Sequence, residues 1–353
     1  MMRILITGGA GFIGSHLAAH FHRHAAVRVL DDLRTGHRDN LAGLDIEFVH
    51  GSILDRVMLS RVMQGVDYVY HLAAFVSAPQ SILDPHTCVE LNVTGLLNVL
   101  EAAATAGVRK LCFSSSAAVY GDSAVVPKRE DMCPEPRSPY GVTKLDGEFY
   151  CRHFTEAGRL KTVALRFFNV FGPRQDPAGP YGAAVAVFFQ RALGGKPLVI
   201  FGDGSQTRDF IYVRDIVAAL EYAALTPGLE GVFNAGYGDE VTILELAQRI
   251  LSLTGSRSSI QFESERPGDV HHSRASVARL RNAGFRPTGT LDSGLRELLS
   301  ALRSDADARL VEASPPSIGL PVREPAPVAM AYNAGHVSQT VQTTSSDERP
   351  ARP

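Results

Sequence analysis

Short apolar runs alternate with stretches of helical periodicity along the first 170 residues of the chain. The runs that are typical of buried strands are residues 2–6, 27–30, 46–49, 67–70, 109–113 and 162–167. The segments between most of them repeat their apolar residues at the spacing of an amphipathic helix. This alternation predicts an α/β protein with a parallel sheet and helices on both faces. Right-handed crossovers make the doubly wound topology the default.

The pattern changes after residue 170. Pro and Gly crowd residues 172–182, and short helical and strand patterns follow. We predict a smaller C-terminal α/β substrate domain from residues 171–206 and 238–303, with about 207–237 returning to the first domain, 1–170. Residues 304–353 are rich in Pro, Ser, Thr and Ala without hydrophobic periodicity, which predicts a disordered tail. A short peptide that docks on another protein is the alternative for this tail.

Composition excludes several classes of partner. The 353 residues carry a formal net charge of −2, so there is no basic field to attract nucleic acid or an acidic membrane. No segment approaches the roughly 20 apolar residues of a membrane-spanning helix. The four cysteines have no CxxC spacing, and the N-terminus lacks the pattern of a signal peptide. We therefore expect a cytoplasmic protein with reduced thiols.

A glycine-rich segment, TGGAGFIG at residues 7–14, joins the first predicted strand to the first helix. Its glycines permit a tight turn and a close approach of the backbone to a pyrophosphate at the helix N-terminus. Asp31 ends the second strand, where a carboxylate binds ribose hydroxyls and disfavours a 2′-phosphate. The combination predicts a Rossmann-type domain that binds NAD rather than NADP, although Arg34 weakens that preference. The alternative is a glycine turn without a ligand.

Tyr140 and Lys144 are four residues apart at the start of a predicted helix, so they share one face. A nearby ammonium favours the phenolate, so the pair can act as a base near neutral pH. Alone, such a pair is more often an incidental surface contact. Here a strand that ends in three serines, 114–116, precedes it, and a nucleotide loop opens the chain.

The chain resembles the extended short-chain dehydrogenases/reductases, in particular the nucleotide-sugar epimerase/dehydratase family and its UDP-glucose and UDP-N-acetylglucosamine 4-epimerases. The resemblance spans residues 2–303. The segments that carry it include TGGAGFIGSHL, HLAAFVSAPQSI, SSSAAVYG, SPYGVTKL, LRFFNVFGPRQDP, IFGDGSQTRDFIYV and ERPGDV.

The resemblance implies NAD as the cofactor, bound by residues of the glycine loop and of the strand ends beside it. These are Gly8, Gly11, Phe12, Ile13, Gly14, Asp31, Asp32, Leu33, Ser52, Ile53, Leu72, Ala73, Ala74, Asn92, Ser114, Tyr140, Lys144, Phe167 and Val170. His71 also matches a family position, but we interpret it as a structural histidine. The resemblance also implies a homodimer formed through the helices predicted at 88–106 and 140–157.

The catalytic residues implied are Ser116, Tyr140 and Lys144. The residues implied to bind a UDP-sugar are Ser116, Tyr140, Asn169, Leu198, Val199, Phe201, Arg208, Arg266, Asp269 and Ser273. In this assignment, residues 198, 199 and 201 surround uracil, and the two arginines bind the diphosphate. No metal is expected.

Two alanines and one serine narrow the reaction. Related dehydratases and decarboxylases carry acidic residues where this chain has Ala117 and Ala118, and alanine cannot transfer a proton. Ser273 falls where a small residue resembles enzymes that accept N-acetylated sugars. The sequence thus favours NAD-dependent 4-epimerisation of a UDP-hexose or UDP-N-acetylhexosamine. The alternatives are another nucleotide-sugar epimerase or reductase, or a non-catalytic NAD-binding interaction protein, which retention of both Tyr140 and Lys144 disfavours.

Overall fold

Seven parallel strands form the main sheet of the structure, a computed structural model that describes residues 1–177, 184–265 and 270–313. All strands of the described residues, including those outside the main sheet, are in chain order β1 Arg3–Thr7, β2 Ala26–Asp31, β3 Glu47–His50, β4 Tyr68–His71, β5 Lys110–Ser116, β6 Thr162–Phe167, β7 Asn169–Phe171, β8 Leu198–Phe201, β9 Thr207–Arg208, β10 Phe210–Tyr212, β11 Gly231–Ala235, β12 Val241–Thr242, β13 Ile260–Glu263 and β14 His272–Ser273. The helices are α1 Phe12–Phe21, α2 Arg56–Val62, α3 Ala78–Leu83, α4 Pro85–Val89, α5 Gly95–Thr105, α6 Pro139–Glu156, α7 Ala184–Leu193, α8 Val213–Leu225, α9 Ile243–Thr254, α10 Ala278–Asn282 and α11 Leu291–Ala313.

The main sheet has the order β11-β6-β5-β4-β1-β2-β3. The order reverses at β1, which pairs with β2 on one side and β4 on the other. In such a sheet the ligand binds outside the carboxyl ends of the strands at this switch point. Strand β11 closes the edge beside β6, although it follows β6 by more than 60 residues.

Successive side chains of β1 point into two different cores. Ile4 and Ile6 pack in the core that includes α1 and α8, whereas Leu5 packs in the core that includes α2, α5 and α6. Because strand side chains alternate between faces, an unbroken apolar strand requires helices on both sides of the sheet. The predicted doubly wound α/β fold is confirmed.

The C-terminal half adds three small sheets. Strands β7 and β10 form a parallel pair, β8 pairs with β13, and β9 lies between β12 and β14. Helices α7 and α9 pack together beside them. Residues Met1–Ala308 cluster as one compact unit, so the boundary between a cofactor domain and a substrate domain stays a prediction.

The long helix predicted over 88–106 is instead three helical segments. α4 leads into a π-helical turn at Glu90–Thr94, and α5 continues from it. At the other end of the chain, α11 runs to Ala313, so residues 304–313 are helical rather than part of a disordered tail. Residues 314–353 of that predicted tail lie outside the described residues. In the described parts of the chain, no helix is both long and apolar enough to cross a membrane.

Candidate active site

The glycine loop between β1 and α1 is shaped by two close approaches. Gly8 has a φ of 72°, and a Cβ there would lie 2.6 Å from the backbone nitrogen of Ala73. At Gly14 a Cβ would collide with the Gly8 carbonyl oxygen. Gly11 is the N-cap of α1, and no side chain within the described ranges caps this helix end. The N–H groups of the first turn therefore fit an anion such as a pyrophosphate.

Asp31 ties this loop to the end of β2. Its carboxylate accepts the N–H groups of Ala10 and Leu33, each at 2.8 Å. Burial raises the pKa of Asp31, and the two backbone hydrogen bonds oppose that rise. A carboxylate has further lone pairs, so Asp31 can support the loop and still accept a ribose hydroxyl. Asp32 follows with its side chain partly exposed beside Arg34, 3.6 Å away.

The segment after β4 lies against the glycine loop. The Leu72 N–H donates to the Thr7 carbonyl oxygen at 3.0 Å, and Ala73 contacts Gly8. His71 is buried with its Nδ1 2.8 Å from the Thr7 hydroxyl. Burial, aided by the charge of Lys144, lowers the pKa of His71 to about 3. A neutral, hydrogen-bonded imidazole agrees with the interpretation of His71 as structural.

The three serines that end β5 each meet a different residue of α6. The Ser114 carbonyl oxygen accepts from Lys144 Nζ at 2.8 Å, and the Ser115 hydroxyl donates to Glu148 at 2.5 Å. The Ser116 hydroxyl is hydrogen-bonded to the Tyr140 side chain. Residues 140, 144 and 148 are spaced by four and so line one face of the helix. The predicted catalytic residues are thereby brought together at the carboxyl end of β5.

The protonation of this group departs from the sequence-based expectation. Burial raises the pKa of Tyr140, and the hydrogen bond from Ser116 only opposes this effect. Burial also lowers the pKa of Lys144, to about 8. The sequence predicts that Lys144 lowers the pKa of Tyr140, but in the structure the net effect on that pKa is a rise. The Lys144 ammonium lies 5.7 Å from the centre of the Tyr140 ring.

The side chain of Asn92, which is predicted to contact the cofactor, is hydrogen-bonded to other residues of the protein. Its Oδ1 accepts the Phe75 N–H at 2.7 Å, and its Nδ2 donates to the Phe75 carbonyl oxygen and to the Thr143 hydroxyl, each at 3.0 Å. Thr143 in turn donates to the Tyr140 carbonyl oxygen. Asn92 therefore holds the segment after β4 against the first turn of α6.

Glu148 and Arg166 were missed by the sequence analysis. They form a buried, bidentate ion pair with N–O distances of 2.8 and 2.6 Å. The guanidinium carbon of Arg166 lies 4.7 Å from the centre of the Tyr120 ring. The pair fixes α6 against β5 and β6, next to the predicted catalytic residues. The spacing of four that joins residues 140 and 144 continues to 148 and is the signal that could have identified Glu148.

The other predicted cofactor residues lie at strand ends beside the loop. Ser52 and Ile53 follow β3, but the Ile53 side chain is buried against Gly95 of α5, so only its backbone can face a ligand. Phe167 ends β6 and Val170 lies in β7, and both side chains are half-buried.

Several predicted substrate residues lie near one another in the small sheets. Asn169 donates through its backbone and its amide to the Asp209 carbonyl oxygen, at 2.9 and 3.2 Å. Arg208 and Ser273 are register partners in β9 and β14. In β8, alternation leaves Val199 and Phe201 half-buried.

Three predicted substrate residues do not join this group. Leu198 is fully buried in the core, so its side chain cannot line a uracil site. Arg266 and Asp269 lie outside the described residues.

Comparison with known proteins identifies the family. The model of the NAD dependent epimerase/dehydratase family matches residues 4–236. The chain belongs to this family. The resemblance seen in the sequence is confirmed, and the family is NAD-dependent.

Relatives in the epimerase/dehydratase family cover the same part of the chain. A UDP-glucose 4-epimerase of Mycolicibacterium smegmatis is 37% identical over 312 residues, which are 86% of this chain and 99% of the relative. The structure of a UDP-N-acetylglucosamine 4-epimerase from Methanobrevibacter ruminantium is 36% identical, with a TM-score of 0.83 over 86% of this chain and 99% of that one. A UDP-glucose 4-epimerase structure from Thermotoga maritima is 37% identical, with a TM-score of 0.83 over 86% and 100%.

For a member of the epimerase/dehydratase family, the residues directly after Ser116 bear on the reaction. A short 3-10 helix, Ala117–Tyr120, begins there, with the Ser116 hydroxyl accepting the Ala118 N–H at 3.1 Å. Its first two side chains are methyl groups, which can neither donate nor accept a proton. Elimination or decarboxylation would need a proton-transfer group that these two positions do not provide.

Proposed function

We propose that the chain catalyses the NAD-dependent 4-epimerisation of a UDP-hexose or UDP-N-acetylhexosamine through a transient 4-keto sugar. The observation that carries this proposal is the meeting of Ser116, Tyr140 and Lys144 at the carboxyl end of β5. A second support is the pair of alanines where a dehydratase would need an acid and a base. The relatives named UDP-sugar 4-epimerases agree with it.

The proposed reaction separates a proton from a hydride. Bound NAD would supply the acceptor and then the donor for the C4 hydride, which would return to the opposite face of the sugar. Tyr140 accepts the proton of the C4 hydroxyl and gives it back to the oxygen after the keto sugar has turned. Ser116 holds the same oxygen by a hydrogen bond, and Lys144 keeps positive charge beside the phenolate. Burial raises the pKa of Tyr140, so positive charge nearby is needed to form the base.

Product identification tests the proposal. The purified protein is incubated separately with UDP-glucose, UDP-galactose, their N-acetylamino forms and a deoxythymidine analogue, and the products are separated and identified. Tyr140→Phe should lower kcat by about 10²–10⁴-fold because it removes the proton acceptor. Tyr150→Phe, a change elsewhere on α6, is the matched control. Full activity of Tyr140→Phe, or dehydrated or decarboxylated products, would contradict the proposal.

The substrate range is proposed to include N-acetylated sugars because residue 273 is small. Ser273 is the register partner of Arg208, which the family resemblance places at the diphosphate. Ser273→Tyr should lower kcat/KM for UDP-N-acetylgalactosamine by about 100-fold or more, since the larger ring fills the space beside C2. UDP-galactose should still be converted, and Ser273→Ala should accept both substrates. Equal loss of both activities in Ser273→Tyr would count against this assignment.

We further propose that two copies associate through α4 and α6. Val142 and Phe149 are seven residues apart on α6, so they lie on one side of it, and both are exposed. Val89 of α4, which packs against α6, is exposed as well. Apolar side chains on two adjoining helices form a surface that a second copy of the same chain can cover.

The cytoplasmic location is proposed from the cysteines. All four, at positions 88, 112, 133 and 151, are free thiols. Free thiols are typical of a reducing compartment. Fractionation of the native host cells would test the location directly.

A further inference from the structure

Two histidines and a glutamate meet on the outer side of helices α1 and α8. His20 lies in the last turn of α1, His24 follows four residues later, and Glu221 belongs to α8. One ligand atom from each lies within 4.8 Å of the other two. His20 and His24 are exposed and Glu221 is half-buried, so the cluster is open to solvent. The reaction proposed above does not use these residues.

The spacing of the two histidines suits a shared ligand. His24 lies in the turn that follows α1, and its N–H donates to the Phe21 carbonyl oxygen, so the chain turns back and brings His24 beside His20. The two imidazole rings are 5.3 Å apart between centres and nearly perpendicular. His20 Nε2 already lies 2.9 Å from Glu221 Oε2. Donor atoms of a tetrahedral zinc site are about 3.3–3.6 Å apart, given metal–ligand distances of about 2.0–2.2 Å. Small side-chain rotations would therefore bring all three atoms to one ion.

We propose that His20, His24 and Glu221 form a binding site for a divalent transition metal of the zinc type. Two imidazole nitrogens and one carboxylate oxygen are a donor set that Zn²⁺ accepts, whereas Mg²⁺ and Ca²⁺ prefer oxygen donors alone. Water completes the fourth position. On binding, the ion takes the place of the proton between His20 Nε2 and Glu221 Oε2, and that proton moves to His20 Nδ1 or to solvent.

The metal site joins two helices that are distant in sequence. His20 and Glu221 are 201 residues apart, and α1 and α8 pack together over the same core. α1 begins at the glycine loop, and α8 follows β10. An ion held by both helices stabilises the folded state because the unfolded chain does not bring its ligands together.

The experiment uses the untagged protein, freed of metal with a chelator that is then removed. Zn²⁺ alone is titrated by calorimetry, and the melting temperature is followed in parallel. We expect one Zn²⁺ per chain and a melting temperature raised by about 5 °C at a hundredfold excess over the dissociation constant. His24→Gln and Glu221→Gln should each weaken binding by about tenfold or more, since loss of even an outer-shell partner costs about 10–100-fold.

His22→Gln is the matched control. His22 lies between the two ligands in sequence, but its Nδ1 is directed to the Asp45 N–H at 3.4 Å. This variant should bind Zn²⁺ as the wild type does. All variants should retain their activity in the presence of chelator, which separates failure of this site from failure of the proposed reaction. Absence of Zn²⁺ binding by the wild type, or unchanged binding by both ligand variants, would overturn the proposal.

Discussion

The side chain of Lys144, including its amino group, is almost completely buried. Its Nζ donates to the Ser114 carbonyl oxygen at 2.8 Å and lies 5.0 Å from the centre of the Phe113 ring. Burial nevertheless lowers its pKa from the usual value, about 10.4, to about 8. Protonated Lys144 therefore destabilises the folded chain, by about 3 kcal/mol at neutral pH. The proposed reaction gives a reason to retain this charge.

We predict that Lys144→Met raises the free energy of unfolding by about 1–2 kcal/mol at pH 7 while it abolishes epimerisation. The gain is smaller than the burial penalty because the hydrogen bond to Ser114 is lost. Between pH 8 and about 10.4 the unfolded state binds more protons at this site than the folded state does, so wild-type stability rises with pH.

Chemical denaturation of both proteins from pH 7 to 10 measures the effect of Lys144→Met. The difference between them should shrink and then reverse sign by pH 10, because the wild type gains about 2.5 kcal/mol over this range whereas the variant lacks the titrating group. A variant that is less stable than the wild type at pH 7, or a difference independent of pH, would contradict the prediction.

At the scale of single residues, the sequence indicates which side chains lie close together, but it does not indicate their protonation states. The four-residue spacing alone is enough to place Tyr140 and Lys144 on one face of a helix. The direction of the tyrosine pKa depends on burial, which several separate elements create together. The core position of Leu198 likewise depends on which face of β8 turns inward.

At the scale of elements, hydrogen bonds between the consecutive serines at the end of β5 and residues of α6 fix the position of the strand relative to the helix. The Glu148 carboxylate accepts hydrogen bonds from the Ser115 hydroxyl and from Nε and Nη2 of Arg166. A slip of β5 against α6 would break these bonds and move Ser116 from Tyr140. The ion pair thus fixes the relative position of the residues proposed to be catalytic, Ser116, Tyr140 and Lys144.

We predict that Glu148→Gln lowers the free energy of unfolding by about 3–5 kcal/mol, because it leaves the buried Arg166 charge without its partner. Glu156→Gln is the matched control, since Glu156 pairs with Arg152 on the exposed end of the same helix. The control should change stability by less than about 1 kcal/mol. Urea unfolding compares the two, and similar effects of both changes would refute the importance of the buried pair.

The apolar pattern predicts correctly where helices and strands occur, but it does not predict the π-helical turn within the helix expected at 88–106. The helix predicted at 140–157 differs from α6 only at its ends. The π-helical turn at Glu90–Thr94 is not visible in the pattern, because Asn92 is a buried polar residue whose partners, Phe75 and Thr143, come from other elements.

At the scale of the whole molecule, the proposed association of two copies would bury an apolar helix face. Phe149 on α6 is 48% exposed and Val89 on α4 is 47% exposed. Phe262 on β13 is 55% exposed but belongs to a different surface element. Substitution of Phe149 and, separately, of Phe262 therefore tests whether the α6 surface forms the interface or whether any exposed phenylalanine has the same effect.

We predict that the wild type is a dimer in solution and that Phe149→Glu is a monomer, since a carboxylate would have to be buried at the interface. Phe262→Glu should remain dimeric. Light scattering after size-exclusion chromatography gives the mass of each. A wild-type monomer, or a Phe149→Glu dimer as stable as the wild type, would exclude α6 from the interface.

The position of β11 has a consequence for how the chain folds during synthesis. When residues up to Phe167 have left the ribosome, β6 is the last strand of the sheet, and its edge and its buried side chains, such as Val163 and Leu165, lack their later neighbours. Helix α8 and β11 arrive only with residues 213–235. Until then the nascent chain presents an unpaired apolar strand, the kind of edge that promotes aggregation. Completion of the main sheet must therefore wait until residues 213–235 have been made, and a fragment ending near residue 170 should self-associate rather than fold as an independent NAD-binding unit.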